Sequence, residues 1–281
     1  MESPVPKDTD GIDDDASSDD EDESTLGVSM LTLNDPSDNG GDSEDDPMQR
    51  FFDMLYKEYP MQVAKQISRV HIHHIFVSLP ASHASRRQDE RRTNGYLSST
   101  LVYGEIDFRH FRTVFTSILK HHDVLTKPGG VFLDIGCGSG RPVFAAALLH
   151  DFDECVGVEI LDGLAQVAAD VATTWHREKK DAKLSALKKR TRIVIHHGDA
   201  TAMDWPSADF IFCNSTCFDD RLMLAVSKHA IATVKKGGVV VTATKPLVLD
   251  TQDAVAAVAL VSKCKMQESW GPATLYIYKR G

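Results

Sequence analysis

The sequence lacks the features that would place it in a membrane or outside the cell. No apolar run approaches the roughly 18 residues of a membrane-spanning helix. The N-terminus is acidic and has no apolar segment typical of a secretory signal, so none is predicted. Only five cysteines occur, an odd and scattered set that favours a reducing compartment over a disulfide framework. No cysteine–histidine spacing is convincing for zinc, and no metal is expected.

Basic residues are almost absent from positions 1–46. This stretch holds 17 acidic residues and one base, Lys7, among Ser and Gly, whereas the rest of the chain holds 24 acidic and 30 basic residues. The composition predicts a disordered acidic tail on a mildly basic body. Three interpretations stay open for the tail: a solvated segment, a contact for a basic partner such as a histone, or an intramolecular mimic of nucleic acid. A small apolar island at 26–33 is a docking peptide or has no role.

The most informative stretch is an apolar strand followed by a glycine-rich turn. The predicted strand 131–135 contains Asp134, and Gly136, Gly138 and Gly140 follow in G-x-G-x-G spacing. This spacing differs from the G-x-G-x-x-G fingerprint of dinucleotide sites, and a carboxylate at Asp134 would repel phosphate. It suits a ligand that carries an amino group. A dinucleotide site and a glycine-rich turn in an unrelated α/β domain are the alternatives.

Acidic and amide residues follow three further predicted strands. Glu159 ends the second strand, where an acid can accept both ribose hydroxyls. Asp199 follows the third strand and Asn214 ends the fourth. Strands and helices alternate, which predicts a doubly wound, mostly parallel sheet with its ligand at the carboxyl ends of the strands. Strands are predicted over 131–135, 154–158, 193–196, 208–213 and 239–243, with a final pair near 258–266 and 273–278.

These motifs and their order resemble class I S-adenosylmethionine (AdoMet) methyltransferases, and more specifically the non-SET histone lysine methyltransferases of the disruptor-of-telomeric-silencing family. The resemblance covers about residues 102–278 and is carried by Tyr103-Gly-Glu105, the glycine loop, Gly157-Val-Glu159, Gly198-Asp199, Asn214, Thr244-Lys-Pro246 and Ser269-Trp270. It implies a Rossmann-like α/β fold, AdoMet as cofactor, and transfer of a methyl group to a lysine in the globular core of histone H3.

The resemblance also implies roles for individual residues. Tyr103, Gly104 and Glu105 would close over the methionine end of AdoMet, Asp134 would hold its amino group beside the loop, Glu159 would take the ribose, and Asp199 and Ala200 the adenine. The loop residues Gly136, Cys137, Gly138 and Gly140 complete the predicted cofactor set. The predicted catalytic set is Asn214, where the methyl leaves, with Phe218, Trp270 and Tyr276 around the lysine channel. The chain departs from the family at Ile106, Ala200 and Ser215.

The predicted organisation is a tail over 1–46, a small helical subdomain and linker over 47–100, and a methyltransferase domain over 101–281. Two basic stretches, 176–192 and Arg86 to Arg92, are solvated surfaces or contacts for the DNA backbone of a nucleosome. The expected protein is nuclear, acts on histone H3 in nucleosomes, has no membrane contact and is a monomer. The alternatives are a methyltransferase for a non-histone protein or small molecule, and a non-catalytic AdoMet-fold scaffold.

Overall fold

The central part of the chain forms one sheet flanked by helices in the computed structural model. It describes residues 28–31, 46–68, 105–268 and 271–281. The helices are α1 (Pro47–Leu55), α2 (Phe108–His121), α3 (Arg141–Leu149), α4 (Asp162–Glu178), α5 (Ala186–Arg190), α6 (Asp220–Thr233) and α7 (Gln252–Ala257). Residues 61–68 are also helical. The strands are β1 (Ser29–Met30), β2 (Val131–Ile135), β3 (Glu154–Glu159), β4 (Arg192–His197), β5 (Ala208–Asn214), β6 (Val234–Ala243), β7 (Val258–Glu268) and β8 (Gly271–Arg280).

The sheet has the order β1-β7-β8-β6-β5-β2-β3-β4. Strands β2 to β6 pair in parallel, and β8 runs antiparallel to both β6 and β7. The chain moves outward from β2 to β4 and then returns to lay β5 on the other side of β2. Because the direction of winding reverses there, a cleft opens at the carboxyl ends of β2 and β5, which is where open α/β sheets bind their ligands.

Alternate side chains of each strand enter two separate cores. Phe132 and Phe210 face the layer that contains α1 to α4, while Leu133 and Ile211 face the layer that contains α6. In a strand successive side chains point to opposite faces, so continuous apolar strands of this kind are buried on both sides. The alternation of strands and helices in the sequence therefore yields the mostly parallel, doubly wound sheet that was predicted.

Helix α1 is joined to the domain body by aromatic packing. Its N-cap is Asp46, whose side chain accepts from the Met48 amide, and Pro47 occupies the first turn. Phe52 packs on Phe108 with ring centroids 4.7 Å apart, and Tyr56 lies 6.1 Å from Phe144. Residues 46–68 therefore contribute directly to the main core and position the start of α2.

Two boundaries differ from the sequence-based predictions. Strand β6 begins at Val234, whereas the sequence predicted a strand that begins at 239. The register between β5 and β6 shifts between Ala208 and Phe210, so the strand continues through the irregularity. The apolar island of the predicted tail adds a parallel strand to β7, where Leu31 is buried. Residues 1–27 and 32–45 of the predicted tail, and residues 69–104, lie outside the described residues.

Candidate functional site

The glycine loop after β2 is held by hydrogen bonds to the neighbouring strand. Gly136, Gly138 and Gly140 have φ values of 73°, 57° and 84°, a region that L side chains rarely adopt. The Gly136 and Cys137 amides donate to the Val158 carbonyl at 2.9 and 3.0 Å. The Gly138 amide donates to the Glu159 carboxylate at 2.8 Å. Three successive amides are thus used within the fold, which makes this loop a poor cradle for phosphate.

Glu159 anchors this loop at the end of β3. One carboxylate oxygen accepts from Gly138, and the other accepts from the Leu161 amide at 2.8 Å. Burial raises the pKa of Glu159, whereas the backbone hydrogen bonds lower it. Both oxygens have further lone pairs and the side chain lines a cavity beside the loop. A buried carboxylate in this position can accept hydrogen bonds from a pair of ligand hydroxyls.

Asp134 is the most unusual polar group of this site. It lies within β2, is 1% exposed, and its Oδ2 has no hydrogen-bond partner among the described residues. Burial and then the nearby Glu159 charge raise the pKa of Asp134 well above its ordinary value. An unpartnered buried carboxylate is costly, and a cationic ligand would relieve that cost. The fold therefore maintains an acceptor for a positively charged group here.

These residues line a cavity of about 370 Å³ at the carboxyl ends of β2, β3 and β5. Such a volume lies in the range of small-molecule and cofactor sites. The cavity brings together ten of the predicted site residues: Glu105, Asp134, Gly136, Cys137, Gly138, Glu159, Asp199, Ala200, Asn214 and Phe218. Residues separated by more than one hundred positions in the sequence thus converge on one space.

The two ends of the cavity are built differently. At one end Asp199 caps the turn Ala200–Ala202, where its Oδ1 accepts from the Thr201 amide and hydroxyl, both at 2.8 Å. At the other end the Phe218 ring lies against the loop, 3.4 Å from the position that a Cβ on Gly136 would occupy. Asn214 also contributes to the lining, and its amide donates to Glu268 at 3.0 Å.

Sequence reasoning missed several residues at this site. Arg141 forms an ion pair with Glu105 at 3.0 Å, and its guanidinium lies 4.1 Å from the centre of the Tyr56 ring. The Ser139 hydroxyl donates to the other oxygen of Glu105 at 2.5 Å. Lys65, from the helical segment 61–68, also reaches the cavity. Arg141 stands directly before Pro142 in the glycine motif, and this basic residue was the sequence signal that could have indicated the ion pair with Glu105.

The structure does not bring every predicted residue into the cavity. Tyr276 lies on β8, opposite Thr242 of β6, and its ring is 5.8 Å from the Lys263 ammonium rather than at the cavity wall. Gly140 is the N-cap of α3 and packs near Phe144, so it shapes the loop without lining the space. Tyr103, Gly104 and Trp270 lie outside the described residues.

The departures at Ser215 and Ala200 have different structural consequences. The Ser215 hydroxyl donates to the Ala243 carbonyl at 2.6 Å, and the residue is fully buried behind the cavity. That difference is therefore a packing change. Ala200 does line the cavity, so a small side chain stands at the predicted adenine position. Within the described ranges, no group of three or more His, Cys, Asp or Glu is arranged to hold a metal, and no helix is long and apolar enough to cross a bilayer.

The residues present fit AdoMet. The Oδ2 of Asp134, which has no partner among the described residues, suits the ammonium group of AdoMet, and Glu159 suits its ribose hydroxyls. The amides of Gly136, Cys137 and Gly138 already donate within the fold, which is compatible with a ligand that carries no phosphate. The fold and the site geometry are those expected of class I AdoMet-dependent methyltransferases. Over residues 87–269 the chain matches the family described as "Histone methylation protein DOT1", and it belongs to that family. The predicted family and fold class are confirmed.

One curated relative is the "Histone-lysine N-methyltransferase, H3 lysine-79 specific" of Dictyostelium discoideum, which is 27% identical over 161 residues. The match covers 55% of this chain and only 8% of that much longer protein. Among solved structures, TrmN from Thermus thermophilus is 17% identical with a TM-score of 0.45, covering 62% of this chain and 52% of TrmN. An S-adenosylmethionine-dependent methyltransferase from Clostridium acetobutylicum is 12% identical with a TM-score of 0.43, covering 63% and 93% respectively.

Proposed function

We propose that the protein is an AdoMet-dependent protein-lysine N-methyltransferase that acts on a lysine in the globular core of histone H3 in nucleosomes. The observation that carries this proposal is the convergence of Asp134, Glu159 and Asn214 on one cavity, in a chain that belongs to a histone methylation family. The curated relative is described as specific for a lysine of histone H3, which supports the same substrate class.

The roles of the cavity residues follow from their chemistry. Asp134 accepts hydrogen bonds from the ammonium group of the cofactor, and Glu159 accepts from its ribose. Asp199 and the small Ala200 border the adenine, while Glu105 is held beside the loop by Arg141 and Ser139. Tyr103 and Gly104, which precede Glu105 in the chain, would cover the methionine end. Gly136, Cys137, Gly138 and Gly140 set the shape of the loop.

AdoMet supplies an electrophilic methyl group on a sulfonium with a good leaving group, so the protein has mainly to align the acceptor and exclude water. A lysine with an ordinary pKa of about 10.4 must be neutral to attack. Phe218 and Trp270 would form apolar walls that favour the neutral amine. Asn214 lines the same cavity as Phe218 and the glycine loop. Tyr276 is proposed for this channel by resemblance alone, because its ring lies outside the cavity.

The stretch 176–192 is a candidate contact for nucleosomal DNA. Lys180, Lys183 and Arg190 are exposed there, around the short helix α5. Lys188 differs, because its ammonium forms an ion pair with Asp151 at 2.9 Å and is largely buried. Exposed cations on one stretch bind phosphate backbones without reading the sequence of the bases. Arg86 to Arg92, outside the described residues, is proposed for the same contact.

We further propose a nuclear, monomeric chromatin enzyme with the three-part organisation expected from the sequence: a tail over 1–46, a helical subdomain over 47–100 and a methyltransferase domain over 101–281. The packing of α1 on α2 supports a close association of the second and third parts. The pairing of β1 with β7 supports an anchored tail rather than one attached only at residue 46.

The test is methyl transfer from tritiated AdoMet to nucleosomes, free histones and a cytosolic extract. The proposal expects label on histone H3 within nucleosomes, and strongly reduced label with Asp134→Asn at an AdoMet concentration below saturation. Asp253→Asn, an exposed acid on α7, is the matched control and should behave like the wild type. Label confined to small molecules or to non-histone proteins would contradict the substrate. Binding of AdoMet without any labelled product would support a non-catalytic scaffold.

A further inference from the structure

A second buried carboxylate lies behind the cavity wall. Glu268 ends β7, is 4% exposed, and its Oε2 accepts from the Asn214 amide nitrogen at 3.0 Å. Its Oε1 has no hydrogen-bond partner among the described residues. If Glu268 served packing alone, a buried carboxylate that accepts one hydrogen bond would destabilise the fold, because an apolar residue of similar size would avoid the desolvation cost.

Glu268 stands at the end of a directed chain of hydrogen bonds. The Thr216 hydroxyl donates to Asn214 Oδ1 at 2.8 Å, and the Thr216 and Thr244 hydroxyl oxygens are also 2.8 Å apart. A hydroxyl has one proton, so when Thr216 donates to Asn214, Thr244 must donate to Thr216. Thr244 holds this place with a φ of 71°, a conformation that β-branched residues rarely adopt.

We propose that Glu268 is a positioning residue that fixes which way the Asn214 amide faces, and therefore which of its atoms the methyl-transfer cavity presents. An ionised carboxylate can only accept, so the amide nitrogen of Asn214 must face Glu268 and its oxygen must face Thr216. A protonated Glu268 can donate instead, which permits the amide to rotate by half a turn and reverses the direction of the hydroxyl chain.

Burial supports this switch of roles. Loss of solvation raises the pKa of Glu268 to about 7, and the hydrogen bond from Asn214 opposes the rise. On the same strand face, burial also raises the pKa of Cys264, to about 12, so that thiol stays neutral. Gly271 pairs with Glu268 on β8. Helix α2 packs on β7. The ionisable groups in α2 and in the segments next to it are Glu105, Asp107, Arg109, His110, Arg112, Lys120, His121, His122 and Asp123. Lys245 is the ionisable group that follows β6.

This inference rests on the proposed function, and its experiment separates the two. Methyl transfer by the full chain is measured from about pH 6 to about pH 9 at saturating AdoMet and nucleosome. The wild-type kcat should rise through a lower inflection near the Glu268 pKa of about 7. Glu268→Gln should lose that inflection and reduce kcat by roughly ten-fold at the upper end, with KM for AdoMet unchanged.

Two further variants keep the result interpretable. Thr216→Val removes the donor to Asn214 Oδ1 and should reduce kcat by a similar factor while leaving the lower inflection in place. Glu154→Gln makes the same chemical change on β3, where the carboxylate pairs with Arg192 at 2.6 Å, and should leave both kcat and the pH profile unchanged. A lower inflection that survives in Glu268→Gln, with wild-type kcat, would overturn the proposal.

A measurement independent of turnover completes the test. The nitrogen-15 NMR signals of the Asn214 side-chain amide, assigned by their disappearance in Asn214→Ala, should shift with pH near the Glu268 pKa in the wild type and not in Glu268→Gln. An inactive wild type that shows this shift would reject the proposed function and retain the positioning role. An active wild type whose Asn214 amide signals do not titrate would reject the positioning role alone.

Discussion

The two halves of the cavity are held in place by different means. At the ends of β2 and β3, backbone amides fix the loop and the Glu159 carboxylate receives two of their hydrogen bonds. At the ends of β5, β6 and β7, side chains from separate elements hold one another, from Thr244 to Glu268. The first arrangement depends on glycine spacing and tolerates little change, whereas the second can alter its polarity with one proton. A fixed loop suits a cofactor that many enzymes share, and an adjustable set of side chains suits a substrate that is particular to one enzyme.

The largest expected effect comes from the half of the cavity at the ends of β2 and β3, the proposed cofactor half. Asp134→Asn removes a carboxylate whose buried Oδ2 has no partner among the described residues, and should weaken AdoMet binding by roughly 10- to 100-fold. Isothermal titration calorimetry with the demethylated product AdoHcy measures this directly. Asp253→Asn should bind like the wild type. Equal affinities of the wild type, Asp134→Asn and Asp253→Asn for AdoHcy would contradict the assignment of cofactor binding to the half of the cavity that contains Asp134.

The same substitution should stabilise the protein without ligand at neutral pH. Because the folded-state pKa of Asp134 is raised above its ordinary 3.8, the folded protein holds a proton that the unfolded chain releases. The stability that this proton contributes is complete below the ordinary pKa of 3.8 and is lost as the pH rises through the raised value. Thermal unfolding should therefore give Asp134→Asn a higher Tm than the wild type at neutral pH, with a difference that shrinks on acidification. A lower Tm at neutral pH would contradict this.

Two glycines allow the cost of backbone strain to be measured separately from contact with the proposed acceptor half, which lies at the ends of β5, β6 and β7. Gly136 and Gly237 have φ values of 73° and 78°, but only at Gly136 would a Cβ meet another side chain, the Phe218 ring. Alanine at either position should cost roughly 1–2 kcal/mol of stability, measured by denaturant unfolding. Only Gly136→Ala should also lower methyl-transfer activity. Equal activity in both variants would remove Phe218 from the working site.

A weaker effect is expected on the surface. Replacing Lys180, Lys183 and Arg190 by Gln should reduce the salt dependence of nucleosome binding, with the slope falling by about 0.9 for each phosphate that is no longer neutralised. Binding is measured by fluorescence anisotropy over a range of salt concentrations. Lys228→Gln on α6, where the lysine pairs with Asp250 at 3.1 Å, is the control. An unchanged slope in the triple variant would show that 176–192 is a solvated surface.

The smallest effect concerns the tail strand. Leu31 is 7% exposed in the main core, whereas Met30 beside it is 58% exposed. Leu31→Ala should lower the unfolding free energy by roughly 1–2 kcal/mol, less than in a deep core site, and Met30→Ala should change it little. Both variants should keep wild-type AdoMet affinity. If Leu31→Ala had no effect on stability, the anchoring of the tail on β7 would be contradicted.

The cofactor half could be predicted from the sequence better than the acceptor half, for a physical reason. Glycine spacing after an apolar strand, and acids at strand ends, are local signals that need no knowledge of packing. The pairs Arg141–Glu105 and Asn214–Glu268 join positions 36 and 54 residues apart. Glu105 and Asn214 were predicted as site residues, but no local pattern indicates which distant side chain pairs with each of them. Strand β6 was predicted to start too late because residues 235–238, which include Gly237 and Gly238, were interpreted as the break that ends the preceding helix. In the structure they belong to the strand, and its irregular pairing with β5 accommodates them.

The most direct test of the central claim is a crystal structure of the full chain with AdoHcy. We expect the ligand in the cavity between the glycine loop and Phe218, with its amino group within hydrogen-bond distance of Asp134 Oδ2 and its ribose hydroxyls on Glu159. A ligand bound elsewhere, or one whose amino group contacts neither Asp134 nor its surroundings, would contradict that claim.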